Sequence, residues 1–278
     1  MEALYEPLHA AQLPAAAASI DVEKGIKYGA HAKHKIDVYS PRSDSTQLRP
    51  AVVFFHGGGF TAGDTDITPS MHGNIGYYFA RSGCVCFLAT YRLLPEARFP
   101  SGGEDVATAL KWVHDHAAQY GVDGQRITAV GQSAGGAHLA NAVFAGRLVD
   151  AGVALQGLVL LSVPFWYDLT LERRRQNMMM YHNTDKAENV LDKTGVAVFQ
   201  ASSPERVLAG VDFLQMVAEL DSDEIVNGNL RFVEAFRHKC CRMPLLEVMA
   251  GHNHISNTLE IGLPSDLVGP RILRIAIK

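Results

Sequence analysis

The sequence predicts an α/β fold, with one mostly parallel central sheet flanked by helices. Two observations carry that expectation. Short apolar runs alternate along the chain with segments of helical periodicity, which is the pattern of strand–helix–strand units. Two of those runs, ending at Phe55 and at Val130, lead straight into glycine-rich turns, as buried parallel strands do. A chain of 278 residues that is 47% hydrophobic can bury one large core, so a single domain spanning 1–278 is expected.

The elements follow in order. Early strands are expected at 20–28 and 35–39. The runs at 51–55 (Ala-Val-Val-Phe-Phe) and 84–90 (opening Cys-Val-Cys-Phe) read as buried strands. Segment 103–120 reads as a helix, because Val106, Ala109, Leu110 and Val113 fall on one stripe. A strand at 126–131 and a helix at 134–148 follow, then strands at 156–161 and within 211–220. A helix at 223–238, a last strand at 243–249 and a helix from 266 onward complete the alternation.

Segment 164–204 breaks the rhythm. It is rich in Met, Arg, Tyr and Asn and lies between two strands. In a doubly wound fold such an insertion covers the carboxyl edge of the sheet, where ligands bind, so a short covering insertion is expected here. The trio Met178-Met179-Met180 fits a pliable apolar surface and helix packing equally well.

Composition narrows the function. The formal net charge is -4, with no basic stripe, which argues against a nucleic-acid partner. Arg173-Arg174-Arg175 reads as a solvated helix face. No segment approaches the roughly 18 consecutive apolar residues of a membrane span. Met1-Glu2-Ala3 carries no basic n-region, and the alanine-rich stretch from Pro14 to Ser19 is short, so no signal peptide is read and a cytoplasmic location is expected. Cys84, Cys86, Cys240 and Cys241 have neither zinc-site spacing nor a disulfide framework, and are expected as free thiols.

The strongest chemical signal is Gly131-Gln132-Ser133-Ala134-Gly135-Gly136, between the apolar run 127–130 and a helix. In that strand–turn–helix setting G-x-S-x-G marks a nucleophilic serine. The turn forces Ser133 into a strained conformation, and side chains at Gly131 and Gly135 would collide across it. The following helix aims its N-terminus at the reaction centre, which favours negative charge.

The second signal is His56-Gly57-Gly58-Gly59-Phe60, directly after the strand at 51–55. Glycines let backbone N–H groups approach a substrate carbonyl and stabilise the charge of a tetrahedral intermediate. Gly58 and Gly59 are the candidate oxyanion donors, with Ala134 as the third. A phosphate-binding loop is excluded, since neither Gly-Lys-Ser/Thr nor the G-x-G-x-x-G spacing is present. His56 reads as a structural hydrogen-bonding residue.

Together these signals resemble the hormone-sensitive-lipase-like branch of the α/β-hydrolases. Tyr91-Arg92-Leu93-Leu94-Pro95-Glu96, followed by Phe99-Pro100, matches that branch's segment between oxyanion loop and elbow. Asp105 matches a structural aspartate there. The similarity covers about residues 35–165 and 205–260, and the family's larger N-terminal cap is shortened. The chain resembles the compact members, which include feruloyl-esterase-like enzymes and arylformamidases.

The resemblance implies a Ser–acid–His order. Of the downstream histidines, His138 reads as packed in the helix after the elbow, His182 lies in the insertion and His238 on a surface helix. His252 and His254 follow the last strand, where this fold delivers its base. His254-Ile255-Ser256 fits the family pattern better than His252-Asn253, so His254 is the candidate base and His252 the alternative. Asp221 matches the family's aspartate, with Asp223 the runner-up. Asp223 and Glu224 read as first-turn helix residues. His-x-His lacks the further ligands of a metal site, so neither metal nor cofactor is expected.

The implied activity is a serine carboxylesterase acting on small or aryl esters through an acyl-enzyme. The alternatives are an arylformamidase cleaving N-formyl aryl substrates and a non-catalytic small-molecule-binding homologue. The expected partner is a small-molecule ester, and by family analogy a homodimer is possible.

Overall fold

The structure, a computed structural model, describes residues 1–42 and 47–278. Its eight strands are β1 (Ile20–Lys27), β2 (Lys35–Pro41), β3 (Arg49–Phe55), β4 (Val85–Ala89), β5 (Val122–Gln132), β6 (Gly157–Leu161), β7 (Asp212–Leu220) and β8 (Leu245–Asn253). They form one sheet in the order β1-β2-β4-β3-β5-β6-β7-β8. The β1–β2 and β2–β4 pairs are antiparallel, and every pair from β4 to β8 is parallel. The expected mostly parallel sheet is therefore observed.

Twelve helices surround it among the described residues: α1 (Glu2–Ala17), α2 (Gly73–Arg81), α3 (Ser101–His116), α4 (Ser133–Phe144), α5 (Arg147–Asp150), α6 (Glu172–His182), α7 (Ala187–Leu191), α8 (Gly195–Ala201), α9 (Pro204–Val207), α10 (Asp223–Cys240), α11 (Ser256–Leu259) and α12 (Val268–Ala276). The middle of the sheet is apolar on both sides, as in 51–55 of β3 and Val85–Ala89 of β4, because helices cover both faces. In β3, Ala51, Val53 and Phe55 join one core with Leu110 of α3, Leu139 of α4, Phe199 of α8 and Phe232 of α10. Val52 and Phe54 join the opposite core with Ile75 and Phe79 of α2 and Ile272 of α12.

Two helices were not legible as periodic stripes. Helix α1 carries Pro7 and Pro14 inside it, and each proline removes an N–H donor. Tertiary contact holds it instead, with His9 Nε2 2.6 Å from the Leu259 carbonyl oxygen. Helix α2 contains Gly73 and Gly76, and glycine is a poor helix former. A side chain at Gly76 would overlap the Tyr39 ring, so the glycine permits close helix–sheet contact. The expected C-terminal helix is α12, and its approach is fixed by Asp266, whose Oδ1 accepts the N–H groups of Val268 and Gly269 at 2.8 Å each.

The insertion divides in two. Phe199 of α8 is a core residue with Val196 and Val198 packed beside it, so the later part of 164–204 packs into the domain. The earlier part approaches the carboxyl ends of the strands. There Met178 is buried against Phe60, Tyr167 and Tyr181, which resolves the methionine trio toward helix packing at that position. The reading of Arg173-Arg174-Arg175 as a wholly solvated face needs correction. Successive helical residues turn by about 100°. Arg174 thereby points inward to a partly buried pair with Glu224, while Arg175 pairs with Glu172 at the surface. Among the described residues no helix is long and apolar enough to cross a membrane.

Candidate active site

Ser133 sits where β5 passes into α4, with φ at 51°. That left-handed conformation costs a non-glycine residue about 1–2 kcal/mol, and crowding on both sides holds it. A Cβ at Gly131 would lie 2.6 Å from the Gly136 Cα. One at Gly135 would overlap the carbonyl oxygens of Phe55 and His56. The elbow is thus pressed against the end of β3, where only glycine fits.

The serine Oγ is 2.8 Å from His254 Nε2. His254 Nδ1 is 2.6 Å from Asp221 Oδ1, and the Asp221 side chain is fully buried. The other carboxylate oxygen, Oδ2, accepts the Ser162 hydroxyl at 2.6 Å and the Ala218 N–H at 2.8 Å. Two further donors on its far oxygen fix the carboxylate in one orientation. The tautomer that satisfies these contacts has Nδ1 donating to Asp221, leaving Nε2 to accept from Ser133.

The structure brings Ser133, His254 and Asp221 together and places the alternatives elsewhere. His252 is buried, with Nδ1 3.2 Å from Ser256 Oγ and Nε2 3.2 Å from Glu260. Asp223 lies in the first turn of α10, at the rim of the cavity. Three further residues escaped sequence reasoning. Ser162, with φ at 48°, follows β6 and donates to Asp221. Asn257 Nδ2 in turn donates to Ser162 Oγ at 3.0 Å. Gln132, a variable position of the elbow motif, donates from Nε2 to the His254 carbonyl at 2.8 Å. The one available signal for Ser162 was a polar residue directly after an apolar strand.

The glycine loop faces the same point. Gly58 has φ at 133° and Gly59 at 61°. A side chain at Gly58 would overlap the Ala62 carbonyl, whereas the Gly58 carbonyl itself accepts the N–H groups of Thr61 and Ala62 at 3.1 and 3.0 Å. The loop is thereby folded back on itself beside Ala134, the first residue after Ser133. His56 braces it from below. Its Nδ1 is 2.7 Å from the Gly57 carbonyl and its Nε2 2.9 Å from Thr90 Oγ1. Burial, then the neighbouring His72, pushes the His56 pKa down to about 3, so it is a neutral bracket. Tyr91 donates to the His56 carbonyl at 2.6 Å. Asp105 holds the following segment through Arg92, at 2.7 Å to the guanidinium and 2.9 Å to the backbone N–H. His138 is packed under the loop, lowered to about 3 by burial, with the Tyr181 hydroxyl 3.1 Å from its Nδ1.

Above the serine opens a cavity of about 770 Å³, walled by Gly59, Phe60, Pro164, Leu171, Arg174 and Ile255. Among the described residues no group of three or more His, Cys, Asp or Glu could hold a metal ion. The arrangement can therefore activate a hydroxyl, pass its proton to an imidazole and present N–H donors to an oxyanion.

A family model described as the alpha/beta hydrolase fold matches residues 52–215. An esterase of Mycobacterium tuberculosis, LipI, is 37% identical over 135 residues, covering 48% of this chain and 39% of that protein. Ethyl acetate hydrolase of Pseudomonas putida is 34% identical over 103 residues, 36% of this chain and 31% of that protein. Arylacetamide deacetylase of Oryctolagus cuniculus is 36% identical over 129 residues, 44% and 30% respectively. The chain spans less than half the length of each of these relatives. Among solved structures, esterase B from Lactobacillus rhamnosis superposes with a TM-score of 0.72 at 18% identity, covering 99% of this chain and 94% of that one. A truncated carbohydrate esterase from gut microbiota gives 0.73 at 15% identity, covering 94% and 98%. At such identities the likeness concerns the fold alone.

Proposed function

The chain belongs to the α/β-hydrolase family, in its hormone-sensitive-lipase-like branch, and from that premise we propose that it is a serine carboxylesterase acting on small or aryl esters. His254 Nε2 takes the proton of Ser133 as the hydroxyl attacks the ester carbonyl. Asp221 fixes the imidazole tautomer and stabilises the imidazolium. The Gly58, Gly59 and Ala134 N–H groups receive the oxyanion, which exists only in the tetrahedral state and is therefore stabilised selectively. His254 returns its proton to the leaving alcohol, and water then frees the acid by the same path reversed. No step calls on a metal or organic cofactor.

One observation carries this reading: the unbroken hydrogen-bonded series from Ser133 Oγ through His254 to Asp221, at 2.8 and 2.6 Å, opening into the cavity. It also argues against a binding protein that merely retains the scaffold. The test is hydrolysis of p-nitrophenyl acetate and butyrate by wild type and Ser133→Ala. Turnover should fall by about 10⁴-fold or more in the variant. Equal turnover by the two proteins would end the proposal.

A second reading is cleavage of an activated amide, including an N-formyl arylamine. It is favoured by the similarity to a protein named arylacetamide deacetylase. The same serine, base and oxyanion donors serve either bond, so only a rate comparison separates them. A higher kcat/KM on N-formylkynurenine than on p-nitrophenyl acetate would select it.

A further inference from the structure

We infer that the Arg174–Glu224 pair is a clasp that sets the width of the cavity, and so decides which ester sizes are admitted. The inference rests on the esterase reading for its substrate but on geometry for the clasp itself. Both residues line the cavity over Ser133. Arg174 Nε lies 3.0 Å from Glu224 Oε2, and its Nη2 2.7 Å from Oε1, so the contact is a two-point fork that fixes orientation as well as distance. The side chains are only 20% and 13% exposed, against 46% and 61% for the neighbouring surface pair Arg175–Glu172. Water therefore screens the clasp far less.

The clasp joins two components of the wall, the first turn of α10 and the first turn of α6. Glu224 lies in the first turn of α10, three residues beyond Asp221. Its Oε2 also accepts the Asp168 N–H at 2.8 Å, which ties down the start of the insertion. Arg174 lies 5.0 Å over the Tyr167 ring.

Helix α6 is anchored differently at its two ends. At the C-terminal end Tyr181 stacks on Phe60 at 4.6 Å, its carbonyl accepts the Phe99 N–H at 2.8 Å, and Met178 is buried. At the N-terminal end Leu171 is largely exposed and Glu172 faces solvent. Arg174 is the partly buried side chain that fastens that end of the helix to α10, beside the Asp168 N–H contact. Releasing it lets the segment 168–176 pivot on the aromatic anchor, of which Tyr167 is a member, and widens the cavity on the side of Leu171, away from the Ser133–His254 contact.

The experiment measures kcat/KM for p-nitrophenyl acetate, butyrate and octanoate with wild type, Arg174→Gln, Glu224→Gln and the double variant. Hydrogen exchange of peptides spanning 168–176 is followed in parallel. Each single variant should raise the octanoate-to-acetate ratio by about tenfold, the scale on which a pocket discriminates by one or more methylenes. The double variant should match the singles, because either change opens the same contact. Exchange over 168–176 should quicken in all three. An unchanged ratio, or an equal loss on all three esters, overturns the inference. If wild type shows no serine-dependent ester turnover, the esterase reading falls alone. Exchange then decides the clasp, and unaltered protection in both single variants overturns it.

Discussion

Replacing Ser162 with alanine removes one hydroxyl and breaks two buried hydrogen bonds. The first is the 2.6 Å contact to Asp221 Oδ2, and the second is the 3.0 Å contact from Asn257 Nδ2. A hydrogen bond to a charged group contributes about 1.5–3 kcal/mol and a neutral one about 1 kcal/mol. The expected loss of stability is therefore about 2–4 kcal/mol, since neither Ser162 nor Asn257 has access to water. In a chain of this size each kcal/mol moves the melting temperature by about 2–4 °C, giving a drop of roughly 4–16 °C by calorimetry. The kinetic expectation is separate. Asp221 keeps the Ala218 N–H but loses its second far-side donor, so the acid and the imidazole it orients gain freedom. A fall of about 10–100-fold in kcat should follow, smaller than the roughly 10⁴-fold cost of removing a triad acid's function. KM should hold, because Ser162 does not line the cavity. Ser162→Gly is the control: with φ at 48°, glycine relieves about 1–2 kcal/mol of backbone strain yet lacks the hydroxyl. Both variants should share the lowered kcat while the glycine variant melts higher. A wild-type kcat in the alanine variant, or its restoration by glycine, refutes the reasoning.

Gly135→Ala should abolish turnover and destabilise by about 1–3 kcal/mol, because the new methyl overlaps the Phe55 and His56 carbonyls and neither strand end can give. Loss of fluorophosphonate labelling of Ser133 in a folded variant checks it. Stability should fall as pH drops from 7 to 5. Burial lowers His56 and His138 to about 3, and burial then Lys193 lowers His182 to about 4, whereas the unfolded chain protonates near 6.5. Below pH 6.5 the unfolded state binds the protons, so the joint loss is on the order of 5 kcal/mol at pH 5. Urea midpoints that coincide at pH 7 and pH 5 would show that these imidazoles are solvated.

How far the sequence could be read depended on what kind of force fixed each part. Ser133 and the glycines around it were legible because backbone crowding permits few residue types, and crowding leaves a short, contiguous signature. Helix α3 was legible because Val106, Ala109, Leu110 and Val113 make one stripe against one core. Its boundary was not: the expected helix to 120 ends at His116 and tightens into a 3₁₀ turn, Ala117–Tyr120. Helix α2 was missed because Gly73 and Gly76 answer to Tyr39, far away in sequence, rather than to helix propensity. Arg174 was misread for the same reason. A run of three arginines looks uniform in sequence, but its middle member faces Glu224, fifty residues on, and no local pattern records that pairing. Ser162, Gln132 and Asn257 were silent because single polar residues at a strand end or in a short helix are ordinary, and their partners lie far away in sequence.

Sheet geometry accounts for why those silent residues are needed. Neighbouring strands are about 4.8 Å apart, so β5, which delivers Ser133, and β8, which delivers His254, are separated by about 14 Å. The imidazole must therefore return over β7 and β6 to reach the serine. The chain begins that return where the β7–β8 register shifts after Ala218 and at Gly251, with φ at 75°. A loop that doubles back over two strands is not positioned by the strand it leaves. It needs contacts along its course, and it has them: Gln132 holds the His254 carbonyl from β5, Ser162 holds Asn257 from β6, and the His252–Glu260 pair closes the turn on itself. Ser162 also holds Asp221, so the loops that carry His254 and Asp221 share one anchor at the end of β6. A substitution at His252 or Asn253 can then displace His254 alone, whereas a change at Ser162 displaces His254 and Asp221 together. That asymmetry makes the small hydroxyl of Ser162, rather than the larger groups around it, the point on which the geometry of the site turns.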